Sequence, residues 1–73
     1  MTRFTERTTE TLRDALRDAG ISQRAASAKV GRSPVYAHRR LSGAVPLSLD
    51  DLEALAAVAG LEVHVELVPA GGA

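Results

Sequence analysis

Two periods organise the apolar positions of this chain. From residue 4 to residue 59 they recur at steps of three and four, the spacing that puts side chains on one face of an α-helix. From Leu61 to Val68 they alternate, the spacing of a half-buried strand. Phe4, Thr8, Leu12, Ala15, Leu16 and Ala19 share a face and predict a first helix over 5–19, with Gly20 as its stop. Glu10 with Arg13, and Asp14 with Arg17, are spaced to pair on its outer side. Ser22 caps a short second helix, "QRAASAKV", whose inner side is Ala26 and Val30 and whose end is Gly31. Ser33 is the expected cap of a third helix and Pro34 its first residue, where a missing N–H costs nothing. Ala37 and Leu41 point inward, and Gly43 closes it. Ser48 caps a fourth, with Asp51 at the third position of a capping box and Leu47 and Leu52 spaced as a hydrophobic staple. Leu49, Leu52, Leu55, Ala56 and Ala59 form its expected buried stripe, and Gly60 ends it.

The alternating stretch "LEVHVELV", residues 61–68, places Leu61, Val63, Val65 and Leu67 on one side and Glu62, His64 and Glu66 on the other. His64 reads as a solvated or cross-strand residue. No second strand of similar quality is present; "TRFT" near the N-terminus is the only internal candidate. A lone strand leaves its backbone groups unpaired. The simplest remedy is antiparallel pairing with the same strand of a second copy across a two-fold axis. The pattern therefore predicts a single mainly helical domain over 1–68, four short helices plus one C-terminal β-strand (61–68) paired across a dimer. A disordered tail, "PAGGA", follows at 69–73.

Seventy-three residues leave room for one small core, too little for an enzyme with a deep pocket. There is no cysteine, so neither a disulfide nor a thiolate metal site is available. The two histidines, His38 and His64, have no partners at metal-ligand spacing. Paired carboxylates, a nucleophile with its base, and a phosphate loop are all lacking. The reading is therefore not an enzyme, with no metal, no cofactor and no small-molecule ligand expected. No apolar run is long enough for a membrane span or a secretory signal, and a cytoplasmic location is expected.

Net charge is zero, yet it is segregated. Between Ala19 and Leu49 stand Arg24, Lys29, Arg32, Arg39 and Arg40 with no acid among them; elsewhere four arginines face nine acids. Such a distribution gives a neutral molecule a local positive field. The field centres on "GRSPVYAHRRLSG", residues 31–43, a short helix that exposes Val35, His38, Arg39 and Ser42 while burying Ala37 and Leu41. A helix fits the major groove of duplex DNA, where its N-terminal half meets base edges.

The stretch "ISQRAASAKVGRSPVYAHRRLSG" resembles the helix-turn-helix of the lambda repressor-like family, the Cro/repressor or XRE type. In that family a glutamine opens the second helix, a glycine follows in the turn eight residues later, and a polar recognition helix comes next. Gln23, Gly31 and the helix from Pro34 to Leu41 match without a gap, and the resemblance covers residues 8–60. Three positions depart from the pattern. Ser27 stands where alanine is usual, Pro34 where a polar residue is common, and Arg40 where an aliphatic residue is usual, with Leu41 taking the core role.

The resemblance implies a sequence-specific DNA-binding homodimer on a palindromic or near-palindromic operator. It implies a transcriptional regulator, a repressor or Cro-like phage switch protein. Base-reading residues are then expected at Ser33, Val35, His38, Arg39 and Ser42. Arg39 can donate two hydrogen bonds to guanine, and Val35 can touch a thymine methyl. Backbone contacts are expected from Gln23, Arg24, Lys29, Arg32, Tyr36 and Arg40, which set orientation rather than sequence; Arg40 can instead pair with an acid of the first or fourth helix, and Tyr36 can instead pack. Gln23 is also placed to brace the recognition helix. Cro-like proteins dimerise through C-terminal strands, the role expected of Leu61, Val63, Val65 and Leu67. Two alternatives use the same residues. One is the antitoxin of a toxin–antitoxin pair; the other is a protein-binding antirepressor whose helix pair does not touch DNA.

Overall fold

A computed structural model describes residues 3–72; Met1, Thr2 and Ala73 lie outside the described residues, and with them the start of "TRFT" and the end of the tail. Four helices follow in order: α1 (Arg3–Asp18), α2 (Gln23–Lys29), α3 (Tyr36–Ser42) and α4 (Leu49–Val58). A short 3-10 turn, Ala70–Gly72, stands where the sequence suggested disorder. The core is one cluster drawn from every helix: Leu12 and Leu16 from α1, Ala26 from α2, Tyr36, Ala37 and Leu41 from α3, and Leu52, Leu55 and Ala56 from α4. Ile21, Val30, Leu47 and Val63 pack on its edges. The small residues Ala26 and Ala37, both fully buried, let α2 and α3 approach closely.

Helix ends repeat one solution. At the end of α2, the N–H of Gly31 donates to the Ala28 carbonyl and that of Arg32 to the Ser27 carbonyl. The same pair of bonds recurs after α1 (Gly20 to Arg17, Ile21 to Leu16) and after α4 (Gly60 to Ala57, Leu61 to Ala56). This closure requires a left-handed residue, and Gly31, at φ 77°, supplies it in the turn between α2 and α3. The caps of α2 and α4 are those expected. The Ser22 hydroxyl accepts from the Ala25 N–H, and Ser48 and Asp51 bond reciprocally as a capping box.

Several expectations are corrected. Phe4, at 65 % exposure, and Leu49 lie outside the core, and Ala19 is exposed, so the buried faces of α1 and α4 are narrower than their apolar stripes. Thr9 is buried instead; its hydroxyl is satisfied by the Glu6 carbonyl. Arg13 does not pair with Glu10 but donates across to α3, whereas Arg17 does pair with Asp14 at 3.2 Å. The third helix starts two residues later than expected. Ser33, Pro34 and Val35 form a turn in which the Tyr36 N–H donates to the Ser33 carbonyl at 3.0 Å. Val35 sits at φ −97°, ψ 0°, the third position of a type I turn, which favours proline just before it and serine at its start.

The C-terminal strand is absent: among the described residues none is in a strand, and 61–69 is an irregular segment. The reason lies at the other end of the chain. Arg3, Phe4 and Thr5, most of the one internal candidate partner, are taken into α1, so no ladder can form within the chain. Nor does alternation hold as burial: Val63 packs on the core, while Leu61, Val65 and Leu67 are exposed.

Candidate nucleic-acid interface

A seven-residue helix is too short to be stable alone. Each of the other three helices therefore holds α3 by a polar side chain. At its N-terminal end, Val35 occupies the cap position and offers no side-chain acceptor. The acceptor comes from α2. The Ser27 hydroxyl, fully buried, accepts from the Ala37 N–H at 2.9 Å and donates to the Gln23 carbonyl at 2.9 Å. Ser27 thus satisfies one of the free N–H groups that open any helix. At the other end, Arg13 of α1 donates to the Leu41 carbonyl at 2.9 Å, satisfying one of the free carbonyls of the last turn.

The flank of α3 is held from α4. Asp51 is buried, and both its oxygens are used. The Tyr36 hydroxyl donates to Oδ1 at 2.6 Å, while the Arg40 Nε and the Ser48 N–H donate to Oδ2 at 3.0 and 3.1 Å. Burial by itself pushes the Asp51 carboxyl up. The bonds from Tyr36, from the Ser48 backbone and from Arg40 outweigh it and hold the group down at about 2. Burial, and after it the bond to Asp51, pushes the Tyr36 hydroxyl up to about 12, so it stays protonated and donating. The Arg40 and Arg32 guanidiniums lie against the Tyr36 ring, 4.9 and 5.3 Å from its centre.

With α3 fixed this way, the rotation expected of it holds. Val35, His38, Arg39 and Ser42 face outward, and Ala37 and Leu41 face inward. Ser33, in the turn, is exposed as well. Gln23 is half-buried and its Oε1 lies 3.2 Å from His38 Nδ1, so it braces the outward face from α2. The Ser42 hydroxyl is engaged locally, donating to the Arg39 carbonyl at 3.3 Å. Arg24, Lys29 and Arg32 are exposed around the same helix pair.

Two residues expected at the phosphate backbone are placed elsewhere. Tyr36 is a core residue, 5 % exposed, with its hydroxyl taken by Asp51. Arg40 turns back onto Asp51 and Tyr36. The positive block read along the chain is therefore smaller in space, because α4 brings a carboxylate into it. Sequence reading missed the brace itself: Ser27, Arg13 and the second role of Asp51. Ser27 carried a signal, being a polar residue where two helices must touch. Arg13 carried none, since Glu10, one turn before it, offered a local partner. Among the described residues no group of histidines and acids is arranged to hold a metal ion, and no helix is long and apolar enough to cross a membrane.

A family model described as a helix-turn-helix domain matches residues 9–68, from the buried Thr9 of α1 through the four helices and into the C-terminal segment. No curated protein and no solved structure matches the chain.

Proposed function

Because the chain belongs to the helix-turn-helix domain family, of the Cro/XRE type, we propose that it is a sequence-specific DNA-binding regulator of transcription that places α3 in the major groove. The observation that carries this reading is the outward face of α3. It presents Val35, His38 and Arg39 on a helix held by all three others, with Arg24, Lys29 and Arg32 exposed beside it. Arg39 reads a guanine; Val35, His38, Ser33 and Ser42 make the remaining base-side contacts. Arg24, Lys29, Arg32 and Gln23 contact the phosphate backbone and fix orientation. Residues 1–68 act as one DNA-binding unit. It works as a homodimer on a two-fold operator, a repressor or Cro-like switch, with 61–68 as the dimerisation arm that becomes a strand only when paired. Two such units place their recognition helices about 34 Å apart, one turn of DNA.

The test is selection of bound duplexes from a random pool, followed by titration of the selected site against salt. Three cationic contacts per chain predict a log–log salt slope of magnitude about 2.7 per bound chain. Enriched sequences should show two half-sites related by a two-fold. A folded protein that enriches no sequence and binds no duplex at low salt would leave the α3 face to a protein partner.

A further inference from the structure

Arg39 and Arg40 are neighbours in sequence with different fates. Arg39 is exposed, and among the described residues it makes no ion pair. Arg40 is drawn sideways onto α4. Its side chain is 22 % exposed, its Nε donates to Asp51 at 3.0 Å, and its guanidinium covers the Tyr36 ring. Asp51 is 12 % exposed and is itself fixed by Tyr36 and by the capping box, so the acceptor that holds Arg40 is rigid. Moving Arg40 to a phosphate would leave this carboxylate buried with one partner fewer, and uncovering a buried charge is costly.

We propose that Asp51 is a positioning residue that sets the general affinity for DNA: it withholds Arg40 from the phosphate backbone, so that α3 meets DNA with Arg39 alone of its two arginines. The inference rests on the DNA-binding reading above. A phosphate contact raises affinity for every sequence alike, whereas a base contact separates one sequence from another. Holding Arg40 back therefore lowers affinity for every sequence by the same factor and leaves the Arg39 contribution, and with it the preference among sequences, unchanged.

The test is a cycle of four proteins: the wild type, Asp51→Asn, Arg40→Gln and the double variant. Each is titrated with a duplex of scrambled sequence across a range of salt, with helicity followed by circular dichroism. Asparagine keeps one oxygen, which can accept from the Ser48 N–H while its amide N–H donates to the Tyr36 hydroxyl, and it has no charge to hold Arg40. Asp51→Asn should therefore bind scrambled duplex more tightly than the wild type, with a salt slope steeper by about 0.9 per bound chain. Arg40→Gln should keep the wild-type slope, and the double variant should return to it. A shallower slope for Arg40→Gln would mean that Arg40 already touches phosphate, and the proposal would be overturned. It would equally be overturned if the double variant stayed as steep as Asp51→Asn, because the gain would then come from lost negative charge alone. Should Asp51→Asn fail to fold, Arg40→Gln decides by itself. A wild type that binds no duplex at any salt overturns the DNA-binding reading; a wild type with a normal slope and an unresponsive cycle overturns only the role of Asp51.

Discussion

Asp51 is the residue in which stability and site geometry meet, and its chemistry makes a pH-dependent signature. Its carboxyl sits at about 2 in the folded protein, against an ordinary value of 3.8. A carboxyl depressed by folding contributes stability that is complete above the unfolded pKa and is lost as pH falls through the folded one. The contribution should therefore be full at pH 6, shrink between about pH 5 and pH 2, and amount to about 2 kcal/mol. Urea unfolding at several pH values, with Asp51→Asn as the reference, measures it; a difference between the two proteins that does not change with pH would assign the depression to the wrong group. Arg39 belongs to the same scale but to the other face of the helix. Exposed and outside the brace, it can be removed without touching the core. Arg39→Ala should leave the unfolding midpoint within error and relax preference at one base pair per half-site, a loss of about 1–3 kcal/mol in discrimination. Unchanged preference at every position would pass the base-reading role to His38, which Gln23 holds in place from α2.

At the scale of elements, the third helix is a piece of structure that its own residues do not complete. Its cap residue is a valine, and the missing acceptor is Ser27 on α2. Ser27→Ala should leave the Ala37 N–H buried without a partner, at a cost of about 1–3 kcal/mol in chemical denaturation, and loosen α3 before the other helices. Hydrogen exchange should show that order: amides early in α3 lose protection while those of α1 keep it. Equal loss throughout would mean that the bond serves the whole core rather than the entry to α3. This brace also marks the boundary of what periodicity reveals. Apolar spacing places α1, α2 and α4 within about two residues, and capping chemistry at Ser22, Ser48 and Asp51 is local enough to read directly. The inward and outward faces of α3 were legible for the same reason. Its start was not, because Ser33 and Pro34 fit both a capped helix and a type I turn, and Val35 decides for the turn. Bonds from Arg13, Ser27 and Asp51 to α3 join residues 10 to 28 positions apart, a separation that no local pattern records. The dual reading of Asp51, capping residue and anchor of Tyr36, shows how one local signal can conceal a second partner.

At the scale of the whole molecule, what stands out is apolar surface with nothing against it. The radius of gyration is 13.1 Å, where about 11 Å is expected of a well-packed chain of this length. Beyond Val63, which packs on the core, the C-terminal segment is open to solvent: Leu67 is 93 % exposed and Val65 60 %. The first part of the segment walls a groove of about 290 Å³ against α1 and α4, lined by Phe4, Leu12, Leu49, Leu52, Leu61 and Val65 among others. Phe4 and Leu49, two of the residues that fell outside the core, belong to this groove. The dimer of the proposed function makes use of both features. In that proposed dimer the arm of each chain would pair as a strand with its mate and cover the exposed apolar side chains. A substitution at Leu67 isolates this idea, since a side chain so exposed contributes almost nothing to the fold of one chain. Leu67→Asp should leave helicity and the unfolding midpoint unchanged at concentrations where the protein is monomeric. At micromolar concentration the wild type should sediment at twice the chain mass and the variant at the mass of one chain. Losing the second half-site should then weaken operator binding by on the order of 100-fold, with little change for an isolated half-site. Were the wild type itself to sediment as a stable monomer, or Leu67→Asp to remain a dimer, the arm would be excluded as the interface. The two-fold operator would then require another surface.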